Sequence, residues 1–382
     1  MASSSPYPAL MPSSSPLRPN CKAQDRLFEW RGVNSPPPST INDPWIRSLE
    51  AKASMASISD RASYGSGLKK FHTFCDTFSI PEGDRLPTSF EVLHSFVLWA
   101  TADENVSPSL PSSSPPTGSV AESTARHYLA AIRAWHIAQG WDPPLKDFQR
   151  ERINFSLRGL AKLQAGNHKK SPCPPVTTTL LHLVKKSLDL DSPFDACVWA
   201  IATCAFWGMM RLGEATVKSR SEFSPMKHLA REDAFEAYDL KKRRYMRLEL
   251  PSAKTAKPGE RQSVWLVPQK NLCPIEALYN LKNVVPAGRD HPLFSWSDGG
   301  GSIRPMAKPK FMKRFNDILE ENKIPRVYGH SFRIGGASHY LACGVNPEIV
   351  RLDGRWRSLS YETYIRGFEL AISHHLGDLP GG

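Results

Sequence analysis

The sequence predicts a mainly α-helical protein of two domains, the second of which also contains a small β-hairpin or sheet. Apolar residues recur at helical spacing through residues 41–164 and again through most of 177–372. Between the two regions, "GNHKKSPCPPV" combines charge with three prolines and is typical of a linker, which we place at 165–176. Only around residues 244–267 does the apolar period shorten to that of a strand. The predicted class is therefore helical with one α+β domain.

The composition favours a nucleic-acid partner. The chain has 382 residues, with 49 Lys+Arg against 37 Asp+Glu and a formal net charge of +12. A basic globular protein points first to a polyanion. Its seven cysteines form no CxxC pair, which argues against a disulfide framework or a zinc site and for a reducing compartment. The uncharged stretch 196–210 is shorter than the roughly 20 residues of a membrane span, so we expect a buried helix and no membrane partner.

The N-terminal region divides into a tail and a helical domain. Residues 1–40 are rich in Ser and Pro and lack the apolar core of a secretory signal, so we predict a disordered tail. Residues 41–164 contain helical patterns in "SYGSGLKKFHTFCDTF", "SFEVLHSFVLWATA" and "STARHYLAAIRAWHIAQGW". The polar face of the third helix carries Arg126, His127 and Arg133. That face is either simply solvated or, in so basic a protein, turned towards DNA.

The second domain begins with an apolar helix and continues into strands. Ser192 and Asp195 form an S-x-x-D pattern that predicts a capping box. The helix stays apolar until Arg211, which Glu214 follows. "RYMRLELPSAKTAKPGERQSVWLVP" then predicts a β-hairpin with a long connection, and Lys254 stands where its first strand ends.

Helices return after the hairpin, in segments starting near residues 274, 308, 331, 346 and 360. Residues 373–382 are predicted to be a tail. In "GHSFRIGG", His330 and Arg333 share one helix face, and Gly335 and Gly336 leave a bare surface on which a neighbouring element can pack closely.

Six residues stand out in order along this domain: Arg211, Lys254, His330, Arg333, Trp356 and Tyr364. Each also has an ordinary explanation. An arginine can satisfy a helix end, and a lysine can be one of many at the surface. His330 can cap the helix that begins at Ser331, and Trp356 and Tyr364 can pack through their rings.

Taken in order, these residues resemble the tyrosine recombinase (phage integrase) family of DNA breaking and rejoining enzymes, closest to the branch found in eukaryotic, and especially fungal, mobile elements. "MRLGEAT" resembles the first-arginine motif, "PSAKT" the hairpin lysine, "HSFRIGGAS" the His-x-x-Arg box, "GRWRS" the His/Trp position and "YETYIR" the nucleophile motif. The resemblance extends to 41–164 as the helical, SAM-like core-binding domain, and it makes 177–372 the catalytic domain.

The resemblance implies a site-specific recombinase or integrase that acts through a covalent 3′-phosphotyrosine. Arg211 and Arg333 would hold the phosphate, whose developing charge suits forked guanidinium donors. Tyr364 would attack phosphorus and Lys254 would protonate the departing 5′ oxygen. Implied supporting roles fall to His330 in proton transfer or phosphate binding, to the Trp356 indole as a phosphate donor, and to Glu214 in orienting a partner.

The family's chemistry needs no metal and no nucleotide cofactor, and none is expected here. The implied partner is double-stranded DNA, bound by a homotetramer that exchanges the segment after Gly367 between neighbours. The segment could equally be a frayed tail. The nucleus is the expected location, inferred only from family and substrate.

Several alternatives stay open on the sequence alone. Tyr361 and Tyr364 share a helix face, and Tyr364 is preferred because it lies eight residues after Trp356 and precedes "IR". Lys257 competes with Lys254. Asp353 stands where an apolar or small residue is expected, which could weaken local packing or mark a copy that no longer needs catalysis.

Two other functions compete with the recombinase. Residues 331–356 could pass for a helix-turn-helix, so the chain could bind DNA without cutting it. A type IB topoisomerase would use similar chemistry to relax DNA, although the separate core-binding domain favours a recombinase.

Overall fold

In the computed structural model, residues 12–58, 60–102, 119–163, 173–253, 256 and 260–356 are described. The chain forms two compact units, Met1–Lys170 and Ser171–Gly382. Both are helical, and the second also holds short antiparallel strands. The predicted fold class is therefore confirmed. Within the described ranges, no helix is both long and apolar enough to cross a membrane.

The helices of the first unit pack around an aromatic core. Their bounds are Arg26–Glu29 (α1), Pro44–Ala56 (α2), Arg61–Thr77 (α3), Phe90–Thr101 (α4), Glu122–Ala138 (α5) and Asp147–Leu163 (α6). Leu68, Phe71 and Phe74 of α3 are buried, as the helical period predicts. Phe78 lies just past the end of α3 and is 47% exposed, so the apolar stripe ends with the helix.

The N-terminal segment corrects the prediction of a disordered tail over 1–40, at least from residue 12 onwards. Leu27 and Trp30 lie in the core of the first unit, and the Trp135 indole donates to the Trp30 carbonyl at 2.9 Å. Arg18 forms an ion pair with Glu82 at 2.7 Å. Two large apolar side chains in the core fix the segment, although its average composition is that of a flexible tail.

The second unit is built around one buried helix. Its helices are Thr178–Ser187 (α7), Pro193–Trp207 (α8), Leu212–Ala215 (α9), Pro274–Val284 (α10), Lys308–Glu321 (α11), Ser331–Ala342 (α12) and Pro347–Asp353 (α13). From Asp195 to Trp207 every residue of α8 is buried, which confirms the predicted buried helix. A helix that is apolar on all faces must be covered on all sides, and the cover comes mainly from α10, α12 and the strand Ser295–Ser297, with smaller contributions from α7 and α11.

The start of α8 differs from the capping box predicted from Ser192 and Asp195. Ser192 is the N-cap, but its side chain makes no capping hydrogen bond. The Asp195 carboxylate instead pairs with Arg314 of α11, with Oδ1 accepting from Nε at 2.9 Å and Oδ2 from Nη2 at 2.7 Å. A two-point contact with a guanidinium is stronger than a neutral cap, so the long-range pair takes the carboxylate.

The sheet lies on the core through one face. Strands Ala234–Tyr238 (β1), Arg244–Leu250 (β2) and Gln262–Leu266 (β3) form an antiparallel sheet in that order. Met246, Leu248 and Leu250 point inwards from β2. The predicted hairpin is thus confirmed, while β1 and the pair Ser295–Ser297 (β4) and Ile303–Pro305 (β5) were not predicted.

Candidate active site

Arg211 stands where α8 has ended and α9 begins. It is the N-cap of α9, and Glu214 reaches back to it: Oε2 accepts from the Arg211 backbone N–H at 2.9 Å and Oε1 accepts from Nη1 at 2.9 Å. The Arg211 side chain is 21% exposed and that of Glu214 only 7%. The carboxylate therefore fixes the direction of a partly exposed guanidinium.

A second arginine uses the same carboxylate. Arg355, between Gly354 and Trp356, donates from Nη2 to Glu214 Oε2 at 2.8 Å, and both side chains are 7% exposed. Burial lowers the pKa of Arg355, while Glu214 raises it. Glu214 thus lies between two guanidinium groups that are far apart in sequence.

Arg333 is held from both sides by backbone carbonyls. Its Nη1 donates to the carbonyl of Met209 and its Nη2 to the carbonyl of Gly354. Met209 precedes Arg211 by two residues, and Gly354 directly precedes Arg355. The buried Arg333 side chain therefore ties α12 to both segments that carry the other two arginines.

Trp356 covers Arg333. The Arg333 Cζ lies 4.1 Å from the centre of the Trp356 ring, a cation–π contact in a buried setting. Trp356 also packs in a small apolar cluster with Met209, Ala337 and Val350. Trp356 is thus a core residue that also lies against Arg333.

Asp353 adds a second acid to this region. Burial raises its pKa to about 6, against the opposing effect of Arg355 and Arg333. The residue that departed from the expected pattern therefore lies within electrostatic reach of two arginines. The Asp353 carboxyl is therefore half-protonated only near pH 6, whereas a surface aspartate is already ionised there, and it is mostly ionised at neutral pH.

His330 is exposed at the N-cap of α12, one turn before Arg333, and its side chain makes no capping hydrogen bond. The preceding Gly329 packs against Leu212, the residue after Arg211: a Cβ added at Gly329 would lie 3.4 Å from the Leu212 Cβ. The same added Cβ would lie 3.3 Å from Cε of Lys308. His330 is thereby brought beside the Arg211 segment, with an exposed lysine nearby.

The two glycines of α12 allow the close packing that the sequence predicts. A Cβ on Gly335 would lie 1.9 Å from the carbonyl oxygen of Val176, and one on Gly336 would lie 2.0 Å from that of Phe206. Side chains at either position would push α12, with Arg333 on it, away from α8 and the segment before α7. The packing role of Gly335 and Gly336 is confirmed.

Part of the predicted site lies outside the described residues. Lys254 and Lys257 of the hairpin connection, and both candidate nucleophiles Tyr361 and Tyr364, fall there. The structure brings together Arg211, Glu214, His330, Arg333 and Trp356. The sequence pattern indicates no role for Arg355 or Lys308; "GRWRS" contains Arg355, but nothing local indicates its partner.

The three DNA-binding candidates of α5 do not share one environment. Arg126 is bound to Glu122 (Nε to Oε1, 2.9 Å) and also to Asn154. The His127 Nε2 lies 2.8 Å from the Ser63 hydroxyl. Arg133 is exposed and lines, with Arg126, a cavity of about 230 Å³ between α5 and α6. Arg133 is thus the one of the three that is directed at solvent.

The assembled cluster is suited to binding an anion. Three guanidinium groups, Arg211, Arg333 and Arg355, converge on it, and Glu214 and Asp353 offset part of their charge. Guanidinium groups held by fixed partners bind phosphate without reorganising, which is the property that stabilises charge developing on a reacting phosphate.

Three solved structures of recombinases are similar to the chain. A post-cleavage complex of the XerH site-specific recombinase with palindromic difH substrate gives a TM-score of 0.51 at 13% identity, covering 94% of this chain and 94% of that chain. The XerH pre-cleavage complex with difH gives 0.48 at 14% identity (95% and 98% covered), and the XerA recombinase 0.37 at 12% (88% and 98%). No protein-family model and no curated protein matches the chain. The first of these likenesses shows that the chain has the tyrosine recombinase fold.

Proposed function

We propose that the chain is a site-specific DNA recombinase or integrase, derived from a mobile element, that cleaves and rejoins DNA through a 3′-phosphotyrosine. The observation that carries the proposal is the cluster of Arg211, Glu214, Arg333 and Trp356 inside a tyrosine recombinase fold. The fold alone is compatible with many activities, whereas guanidinium groups held in a fixed orientation are suited to stabilising the charge that develops in phosphoryl transfer.

In the proposed reaction, the Tyr364 oxygen attacks phosphorus and the bond from phosphorus to the 5′ oxygen breaks. Lys254 gives a proton to that leaving oxygen, and His330 takes the tyrosine proton or binds the phosphate. The guanidinium groups of Arg211 and Arg333 stabilise the charge on the non-bridging oxygens. The phosphotyrosine conserves the bond energy, so rejoining is the reverse of the same step and needs no nucleotide.

The proposed partner is double-stranded DNA, contacted by basic residues of both units, with Arg133 of α5 and Lys308 of α11 as exposed candidates. Since phosphate contacts supply most of such affinity, binding should weaken steeply with added salt. Two duplexes must meet for exchange, so we propose a homotetramer on DNA. A nuclear location is proposed on the same grounds.

A DNA-binding protein that has lost catalysis is the second candidate, and Asp353 is the observation that favours it. An acid near Arg333 and Arg355 reduces the positive charge of the site once it is ionised. Against it stands the complete set of hydrogen bonds that orient Arg211, which binding alone would not require.

The deciding experiment uses a nicked suicide duplex carrying a site that the full chain selects from random DNA. The wild type is expected to form a protease-sensitive link to a DNA 3′ end, and Tyr364→Phe to form none. Tyr361→Phe is the matched control, since it removes the same hydroxyl on the same predicted helix face, and it should still form the link.

Two other results would change the proposal. A link formed by Tyr364→Phe but not by Tyr361→Phe would make Tyr361 the nucleophile. A wild type that binds the selected duplex at low salt yet forms no link would favour the non-catalytic protein. Relaxation of supercoiled plasmid without joining of two sites would indicate the topoisomerase-like activity.

A further inference from the structure

Arg355 makes a contact that no local sequence pattern requires. Its Nη2 reaches Glu214 Oε2 across 141 residues of chain, at 2.8 Å. Both groups are nearly excluded from water, so the pair is not the exposed kind that contributes little to a structure. Glu214 then accepts three hydrogen bonds: two from Arg211 and one from Arg355. Its carboxylate cannot turn without breaking at least one of them.

The charges around Glu214 explain what the third hydrogen bond changes. Arg211 and Glu214 alone would form a neutral pair, and a neutral pair attracts a phosphate poorly. With Arg355 the group of three carries one net positive charge. Glu214 can therefore orient Arg211 without cancelling the charge that Arg211 offers to an anion.

The three consecutive residues Gly354–Trp356, here called the latch segment, bind both arginine elements. The Gly354 carbonyl accepts from Arg333, and the Trp356 ring covers the Arg333 guanidinium. Between them, Arg355 binds Glu214 and through it Arg211. The latch segment thus fixes Arg211 and Arg333 with respect to each other, alongside the direct hydrogen bond from Arg333 to the carbonyl of Met209, two residues before Arg211.

The backbone of Arg355 is strained in the same place. Its φ is +58°, in the left-handed region, where a residue with a Cβ costs roughly 1–2 kcal/mol. Met209, whose carbonyl accepts from Arg333, also has a positive φ of 42°. Backbone strain of this kind persists where surrounding contacts over-determine it, and for Arg355 the buried ion pair is such a contact.

We propose that Arg355 is a positioning residue of the phosphate site: through Glu214 it orients Arg211, restores the net positive charge, and fixes both arginines relative to the latch segment. The inference rests on the proposed function for its catalytic consequence, but the phosphate affinity that it predicts does not depend on strand cleavage. Arg355 touches no substrate in this role.

The test compares full-length variants by their affinity for inorganic phosphate. The methyl groups of Met209 and Met210, beside Arg211, serve as NMR reporters of binding at this site, and Arg211→Met identifies the site-specific response. Arg355→Met and Arg355→Gly are expected to weaken phosphate binding roughly 10-fold, the effect of losing one buried hydrogen bond to a charged group. Glycine adopts a positive φ without strain. A loss of phosphate affinity in Arg355→Gly therefore cannot be attributed to a misfolded backbone at this position.

Arg314→Met is the matched control, because Arg314–Asp195 is another largely buried arginine–carboxylate pair of the same unit. Arg314→Met should lower the unfolding temperature but leave the phosphate affinity unchanged. Arg355→Lys, which keeps a positive charge, should bind phosphate more tightly than Arg355→Met. Wild-type affinity in Arg355→Met or Arg355→Gly, an equal loss in Arg314→Met, or a wild type that binds no phosphate here would each overturn the inference.

Strand cleavage is measured separately on the nicked duplex. A wild type that forms no covalent link defeats the recombinase function, while the phosphate affinities still decide the role of Arg355. If the wild type does form the link, Arg355→Met and Arg355→Gly should form it roughly 10-fold more slowly at saturating DNA. An unchanged rate in both would overturn the positioning role even if the recombinase function stands.

Discussion

Replacing Gly335 by alanine should destabilise the second unit, although alanine is the better helix former. A Cβ at this position would lie 1.9 Å from the carbonyl oxygen and 2.8 Å from the carbonyl carbon of Val176. The nearby Val176 N–H also donates to the Ser331 carbonyl at 2.9 Å, so the segment before α7 is held against α12. Neither side of this contact can yield by rotating a side chain, because both are backbone.

The magnitude follows from two opposing terms. In a helix interior, alanine gains about 1 kcal/mol over glycine. To reach an ordinary contact of about 3.4 Å, the backbones would have to separate by roughly 1.5 Å, and overpacking of this kind costs about 1–3 kcal/mol, or more where backbone must shift. We expect a net loss of about 2 kcal/mol, or a fall of roughly 4–8 °C in the unfolding temperature of a unit of this size.

Calorimetry of the full chain measures the loss, and hydrogen–deuterium exchange of α12 and α6 assigns it to a unit. Gly159→Ala is the control: Gly159 lies in α6 with nothing within 4 Å of an added Cβ, so alanine there should stabilise by about 0.5–1 kcal/mol. If Gly335→Ala were as stable as the wild type, the close approach of α12 to Val176 would be refuted.

Three further predictions concern stability and pH. Trp30→Ala should cost about 3–5 kcal/mol in the first unit, as for a large core residue, whereas a disordered tail would give no effect in denaturant unfolding. His136 is held neutral by burial, with a pKa of about 4 against 6.5 in an ordinary setting, while Nδ1 donates to Ile132 and Nε2 accepts from Thr88. Stability is therefore full above pH 6.5 and falls as the pH drops towards 4, and unfolding of His136→Gln should show a flatter pH profile; an unchanged profile would contradict this. Asp353→Asn should stabilise the chain by about 1–3 kcal/mol at pH 8 but not below pH 4, because a carboxyl whose pKa is raised from 3.8 to about 6 costs stability only once it ionises; equal gains at both pH values would exclude this cause.

The elements that the sequence predicts well are those whose signal is local. The period of α3, the apolar length of α8 and the alternation of β2 and β3 are each contained within a dozen or so residues. The N-terminal segment was predicted wrongly because composition averages over Leu27 and Trp30, which anchor it by filling a distant core. The strands β1, β4 and β5 were missed because they are short and only partly buried, so no alternation marks them.

The candidate site likewise consists of residues that local motifs predict and of contacts that they do not. The order of motifs predicts Arg211, His330, Arg333 and Trp356 as site residues, since each motif is short and lies within a few neighbouring residues. Contacts between motifs could not be predicted. Asp195 looked like a helix cap but pairs with Arg314, and Arg355 looked like part of the tryptophan motif but pairs with Glu214. In both cases a carboxylate is satisfied by a guanidinium more than a hundred residues away, where no spacing rule applies.

Contacts between distant segments also bear on Asp353, the residue of the motif that departs from the expected pattern. Taken alone, an acid before "GRW" suggested weakened packing or lost function. In the structure it belongs to a group of three arginines, Arg211, Arg333 and Arg355, and two acids, Glu214 and Asp353. The group carries a net charge of +1 when Asp353 is ionised and +2 when it is protonated, so the site remains positive in either state. An acid at this position reduces the positive charge of the group without reversing it, so Asp353 alone does not remove the charge on which the proposed function depends.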